Sequence, residues 1–306
     1  VQRLPLILIG SAGSGKTVLT LEKMKQMSGD VLYVTLSAYL VENARGLYYA
    51  SGYENEAQNL SFLSFQEFVE TIRVPPGSLV NFRIFAHWFA RHRQASGLRD
   101  AHQLFEEFNG VLTGSPVTAP YLSRADYLAL GVRRSIFTGD ERPLVYDLFL
   151  KYLDFLKQDG LADLNLLCFQ YHEACRPSYD AIVVDEVQDL TNVQLSLILK
   201  TLRHPEKFIL CGDSNQIVHP NFFSWAALKT LFYESRLKAG GEIIRILNTN
   251  YRNTPEVTHL ANRLLLLKNA RFGSIDRESH YLVRPISENH GRVEFLADTD
   301  AVKREF

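Results

Sequence analysis

Short, unbroken apolar runs separated by stretches of helical period set the architecture of this chain. The runs LPLILI (4–9), VLYVTL (31–36), NLSFLSF (59–65), AIVVD (181–185) and KFILCGD (207–213) are continuous, as expected of strands covered on both faces of a parallel sheet. After the first run, Val18, Leu19, Leu21, Met24 and Met27 share one helical face, and Gly29 with Asp30 supplies a stop. Strand and helix in alternation predict an α/β fold with right-handed crossovers. Between Phe68 and Ser178 the period becomes helical throughout. Phe82, Phe85, Trp88 and Phe89 make one stripe, and Leu144, Leu148, Tyr152 and Phe155 another. Asp100 and the Ser123/Asp126 pair supply helix caps. Pro75-Pro76-Gly77 marks where this insertion starts. Gly240-Gly241 marks a second break, followed by the strand EIIRIL and by a helix opened at Asn253-Thr254-Pro255, with Val257, Leu260, Ala261, Leu264 and Leu265 on one side. The predicted divisions are 1–75 and 166–241 for one α/β lobe, 76–165 for a helical insertion, and 242–306 for the incomplete start of a second lobe.

Composition narrows the class without naming a function. At 306 residues and 46% hydrophobic content the chain has the length of about two domains and ample core material. No apolar run is long enough to cross a bilayer and no signal-peptide pattern is present, so the expected location is intracellular, in the cytoplasm. A formal net charge of −1 provides no global basic field, although a narrow groove can be locally basic in a neutral protein. Three scattered cysteines do not form a secreted disulfide framework. Cys168, His172 and Cys175 share a helical face, but no fourth ligand follows, and packing is the expected role of that face.

Candidate chemistry sits at the ends of the predicted strands. GSAGSGKT, comprising Gly10, Ser11, Ala12, Gly13, Ser14, Gly15, Lys16 and Thr17, falls between the first strand and its helix and fits the phosphate-binding loop pattern. Its glycines let backbone N–H groups turn toward a phosphate, the helix start adds its positive end, Lys16 a full charge, and Thr17 a hydroxyl for magnesium. The run AIVVD continues into Glu186, Gln188 and Asp189. A buried carboxylate without a partner costs several kcal/mol, so this cluster needs something to hold. A magnesium nucleotide would lie at the carboxyl ends of the strands, with Asp185 holding the metal through water and Glu186 deprotonating the attacking water. Capping of the following helix is the alternative, and it suits Asp189 better than the Asp185–Glu186 pair. In LCGDSNQI, Gln216 follows a third strand end and is a candidate to sense the γ-phosphate.

These motifs resemble those of the UvrD/Rep-type superfamily 1 DNA helicases. GSAGSGKT resembles motif I, YVTLSA (33–38) motif Ia, LSFQEF (63–68) motif Ib, VVDEVQDL motif II, GDSNQ motif III and LNTNYRN (247–253) motif IV. The resemblance implies a RecA-like P-loop NTPase lobe with a parallel sheet, a helical insertion subdomain and the start of a second RecA-like lobe, with ATP and Mg2+ in the cleft between lobes. It implies catalytic roles for Lys16, Glu186, Gln216 and Arg252, the last reaching the γ-phosphate from the second lobe. Tyr251 would stack on the adenine, and Thr17 and Asp185 would hold the metal. Thr35, Ser37 and Phe65 would contact nucleic acid. An aromatic after motif III would do so as well, and because IVHPNFFSW is longer than the usual spacing, Phe222, Phe223 and Trp225 are all candidates, Phe222 and Trp225 foremost.

The sequence also departs from the family pattern. No adenine-reading glutamine precedes Gly10, no motif V or VI follows motif IV, and the chain begins with Val. The expectation is therefore the N-terminal motor region of a longer ATP-dependent helicase or translocase moving on single-stranded nucleic acid, with DNA the expected track. Alone, such a fragment would bind ATP weakly and hydrolyse it slowly, and protein partners would act through the missing regions. Two rivals remain at this point: a regulatory ATP switch that uses the same scaffold to bind a protein partner without translocation, and a non-enzymatic binding module.

Overall fold

The computed structural model describes residues 4–213, 215–216, 243–272 and 281–294. In chain order these form β1 (Leu6–Gly10), α1 (Lys16–Met24), β2 (Gly29–Thr35), α2 (Ala38–Tyr48), β3 (Gln58–Ser64) and α3 (Phe65–Ile72). Then come α4 (Phe82–Ala90), α5 (Arg93–Ser96), α6 (Ala101–Glu106), a π-helical segment (Glu107–Thr113), α7 (Arg124–Leu128), α8 (Arg142–Gln158) and α9 (Leu164–Ala174). The chain continues through β4 (Ala181–Val184), α10 (Asn192–Lys200), β5 (Phe208–Gly212), β6 (Ile244–Leu247), β7 (Thr249–Asn250), α11 (Pro255–Phe272) and β8 (Arg284–Pro285).

Among the described residues the main sheet has six strands in the order β3-β2-β4-β5-β1-β6, every pairing parallel. Alternation along each strand sends side chains to two apolar layers. Ile7, Ile9, Leu32, Val34, Ile182, Val184, Phe208 and Leu210 enter one core with α3, α9 and α10. Leu6, Leu8, Val31, Tyr33, Ala181, Val183, Ile209 and Cys211 enter the other, with α1 and α2. Burial on both faces explains why the central strands read as continuous apolar runs, whereas the edge strands β3 and β6 are only partly buried. This is the α/β, RecA-like lobe implied by the motifs.

The helical stretch has a core of its own, built on Phe85, Trp88, Phe89, Leu104, Phe108, Phe149 and Tyr152. Its two ends are pinned together, since Val80 N–H donates to the Ala162 carbonyl (2.9 Å) and Ala162 N–H to that of Ser78 (3.0 Å). Asp100 and Ser123 cap α6 and α7 with their side chains, as their positions predicted. On α1 the predicted stripe differs from the buried face: Leu21 and Met24 are buried, while Val18 and Leu19 are exposed and the helix ends at Met24.

Two expectations about the C-terminal part change. The break at Gly240-Gly241 lies outside the described residues, and the strand after it does not open a second lobe. β6 pairs with β1, Ile7 opposite Ile244 and Gly10 opposite Leu247, so it is the sixth strand of the first sheet. A separate two-stranded sheet of β7 and β8 begins only at Thr249. There α11 is tied to the chain before β8 by Asn262, which donates to the Val283 carbonyl (2.8 Å) and accepts from Val283 N–H (2.9 Å). Val257 and Leu264 of the predicted apolar stripe are exposed.

The turn from β3 into α3 is closed by a reciprocal cap. Ser64 Oγ accepts from Glu67 N–H, and Ser64 N–H donates to Glu67 Oε2 at 2.7 Å. The Ser64 hydroxyl, which also donates to Glu67 Oε2 at 2.7 Å, and then the Ser64 N–H hold the Glu67 carboxyl below its ordinary pKa. Ser64→Ala is expected to cost about 1 kcal/mol in a denaturant melt at neutral pH. A carboxyl whose folded pKa is lowered stabilises above its unfolded value and loses that contribution as pH falls through the folded one. The gap between Ser64→Ala and wild type should therefore narrow in acid.

Candidate nucleotide site

The loop after β1 has the conformation its glycines allow. Gly13 and Gly15 adopt positive φ (80° and 82°), and Lys16 starts α1 immediately afterwards. Lys16 Nζ donates to the carbonyls of Gly10 (2.9 Å) and Ser11 (3.2 Å), so its ammonium sits over the loop although the residue is only 6% exposed. Ser11 Oγ and Ser14 Oγ are buried without a hydrogen-bond partner. Buried hydroxyls left unpaired around a cation, at the start of a helix, make a cradle whose chemistry fits an anion with several oxygens.

Asp185 stands where β4 ends, and its carboxylate receives four donors. Thr17 Oγ1 (2.9 Å) and the Tyr33 hydroxyl (2.7 Å) donate to Oδ2, while Glu186 N–H (2.9 Å) and the Cys211 thiol (2.7 Å) donate to Oδ1. The Thr17 bond joins the loop to the acid, bringing together the two predicted metal-holding residues. Burial pushes the Tyr33 phenol and the Cys211 thiol up, with the charge of Asp185 adding to it, so both remain protonated donors.

Glu186 adopts a left-handed backbone (φ 49°, ψ 47°), the lone non-glycine positive φ among the described residues. Such a conformation costs about 1–2 kcal/mol for an L-residue and concentrates at functional sites. Burial raises the Glu186 carboxyl above its ordinary range, partly offset by the hydrogen bond from Gln188 Nε2 to Oε2 (2.8 Å) and the charge of Lys16. Capping does not account for these acids, Asp189 included. The N-cap of α10 is Thr191, in a capping box with Gln194, and Asp189 lies in the short 3-10 turn before it.

Polar bonds continue from this acid to the third strand end. Gln188 Oε1 accepts from Asp213 N–H (3.0 Å), and Asp213 Oδ2 accepts from Ala12 N–H (3.1 Å) and from Gln216 Nε2 (2.9 Å). Gln216 is thereby connected through one carboxylate to the phosphate-binding loop. The motif at residues 250–253 reaches the same loop. Asn250 Nδ2 donates to the Ala12 carbonyl (2.9 Å), Tyr251 N–H donates to that of Gly13 (2.9 Å), and Asn250 Oδ1 accepts from Arg252 N–H (3.0 Å) and Asn253 N–H (2.8 Å). A Cβ on Gly13 would come within 2.7 Å of Arg252 Cβ, so only glycine admits this approach. Tyr251 and Arg252 are exposed. They directly follow β7 of the separate two-stranded sheet, which brings them beside the phosphate-binding loop.

The predicted nucleic-acid residues divide. Ser37 precedes α2, is partly exposed and makes no side-chain cap bond. Thr35 is buried at the end of β2 with its Oγ1 unpartnered. Phe65 cannot serve as a stacking face as it stands, because it is wholly buried beside Phe68 in the core under α3. Phe222, Phe223 and Trp225 lie outside the described residues. Cys168 and Cys175 are buried and not in disulfides, the Cys175 thiol donates to the Leu197 carbonyl (3.9 Å), and His172 bonds Ser196 and Lys200. Sequence reasoning noted Gln188 and Asp213 at the strand ends without giving them a role, and missed Tyr33, Cys211 and Asn250. The one available signal was a tyrosine inside a continuous apolar strand, since a buried phenol needs a partner for its hydroxyl.

A family model described as an AAA domain matches residues 1–221. The chain is 27% identical over 186 residues to the human TPR and ankyrin repeat-containing protein 1, an alignment covering 52% of this chain and 6% of that protein. It is 32% identical over 99 residues to the ATP-dependent DNA helicase UvrD2 of Mycobacterium bovis (32% of this chain, 14% of the relative), and 28% identical over 134 residues to DNA helicase II of Escherichia coli (40% and 18%). The matched region thus spans less than a fifth of each of these relatives. With the family match running through the loop, both acids and Gln216, the chain belongs to the AAA domain family and, by its relatives and its motifs, to the UvrD-like superfamily 1 helicase group.

Proposed function

We propose that this chain binds ATP with magnesium and hydrolyses it as the motor region of a helicase or translocase that moves on single-stranded nucleic acid, DNA in preference to RNA. The observation that carries the reading is the convergence of Lys16, Thr17, Asp185 and Glu186 at the carboxyl ends of β1 and β4. The unpaired hydroxyls of Ser11 and Ser14 and the Thr17–Asp185 pair fit a magnesium-bound polyphosphate. Magnesium, when bound, neutralises charge on the phosphate oxygens. Lys16 and the loop N–H groups bind those oxygens, and Thr17 and Asp185 hold the metal. Glu186 takes the proton of the attacking water as the new bond to the γ-phosphorus forms and the bond to the ADP oxygen breaks. Arg252 stabilises the charge gathering on the transferred group, Gln216 senses its presence, and Tyr251 offers an exposed ring to the adenine.

For the track, Ser37 and Thr35 at the carboxyl edge of the sheet and the aromatics Phe222 and Trp225 are the proposed contacts, since stacking on an aromatic face tolerates any base. The helical insertion (76–165), the lobe segments 1–75 and 166–241, and a location in the cytoplasm complete the proposal. No helix among the described residues is long and apolar enough to cross a membrane. ATP turnover measured with and without single-stranded DNA or RNA tests this. The expected result is stimulation by single-stranded DNA; turnover unaffected by either strand would favour a regulatory switch, and absence of nucleotide binding would remove the motor reading altogether.

A further inference from the structure

Asp185 is fixed in place by neighbours that belong to neither the phosphate-binding loop nor the acid motif. Its strand, β4, lies between β2 and β5, and each contributes one side chain to the carboxylate: Tyr33 from β2 to Oδ2, Cys211 from β5 to Oδ1. Both donors are fully buried, with Tyr33 1% exposed and packed against Phe62 at a ring separation of 5.3 Å. Among the described residues no Lys or Arg hydrogen-bonds or ion-pairs with Asp185. Its contacts are the Thr17 hydroxyl, the phenol, the thiol and its neighbour's N–H.

That donor set matters for a group meant to hold a cation. A lysine or arginine in the same positions would orient the carboxylate but cancel its charge. Neutral O–H and S–H donors fix its rotation and leave the charge available to a metal. With Thr17 and Tyr33 both on Oδ2 and two donors on Oδ1, the plane of the carboxylate and the directions left open to a metal-bound water are set from inside the sheet.

We infer that Tyr33, assisted by Cys211, is a positioning residue that orients the Asp185 carboxylate for magnesium. This rests on the nucleotide reading above and adds to it a residue that touches neither nucleotide nor metal. A hydroxyl placed only to satisfy itself would affect stability and leave the metal requirement alone; a positioning hydroxyl changes the metal requirement.

The test is binding of a fluorescent ATP analogue to the full chain, titrated with Mg2+ and repeated in EDTA. In the wild type, Mg2+ should tighten binding. Tyr33→Phe should bind the analogue in EDTA as the wild type does, but need about tenfold more Mg2+ for the half-maximal effect, at the lower end of what loss of a metal ligand's supporting partner costs. Cys211→Ala should shift the requirement the same way, and Cys211→Ser, which keeps an O–H donor, should return it to the wild-type value. Should Tyr33→Phe not fold, the cysteine pair decides alone. Wild-type Mg2+ dependence retained by the folded donor-loss variants would overturn this inference and leave the nucleotide reading standing. A wild type indifferent to Mg2+ would overturn both.

Discussion

Glu186→Gln is expected to lower ATP turnover by about 10²–10⁴-fold, the usual worth of a positioned general base, and to leave nucleotide affinity unchanged. The amide has the size of the carboxyl and can still accept from Gln188, so the polar connection to Asp213 and the loop survives. What disappears is the capacity to take a proton. The same substitution should raise stability at neutral pH. Burial lifts the Glu186 pKa in the folded protein, so its protonated form stabilises fully below the ordinary glutamate value, and that contribution is lost as pH rises through the folded pKa. The wild type loses that contribution as Glu186 ionises, while a glutamine has nothing to ionise. Thermal melts across pH should show the variant above the wild type near neutrality, the difference closing in acid. In the wild type, the acidic limb of the pH–turnover profile should lie above the usual carboxylate range, activity appearing as Glu186 ionises. Turnover in Glu186→Gln equal to wild type would remove Glu186 as the base.

Arg252→Ala is expected to lower turnover by about 10³-fold, the lower end of what a cation acting on a transferred phosphoryl group contributes. The side chain is exposed and its own N–H is held by Asn250 Oδ1, so truncation leaves the backbone around the loop in place and the melting temperature unaltered. Arg252→Lys should recover little, because an ammonium cannot reproduce the planar donor fork of a guanidinium. Steady-state turnover and nucleotide affinity measured side by side distinguish this from a binding defect: an effect confined to affinity would assign Arg252 to ground-state binding.

Much of the fold was legible because its strands are short and its signals local. Unbroken apolar runs located five of the six strands of the main sheet to within a few residues, and the loop motif was read where its strand and helix require it. Ile244–Leu247 is a strand, as predicted, but its assignment to a second lobe failed for a physical reason. A strand's own residues carry no record of which neighbour it will pair with, and glycines ahead of it look the same before a new lobe as before a return to the old sheet. Phe65 was misjudged similarly, since an aromatic at a strand end reads alike whether it faces solvent or the underside of α3. The partner of Tyr33 and Cys211 was not legible, because Asp185 meets them only once β2, β4 and β5 lie side by side.

The position of β1 has a consequence for how the protein comes into being. β1 is synthesised well before its partners, with Leu6 opposite Ile209 and Ile7 opposite Ile244. Such distant pairings form slowly. As the chain emerges from the ribosome, LILIG has no neighbouring strand to bond until residues far downstream arrive, and through that interval it is an apolar edge open to self-association. Ribosome-bound chains that carry β1 without β5 and β6 should therefore depend on chaperone capture, and that dependence should end once Leu247 has cleared the exit tunnel.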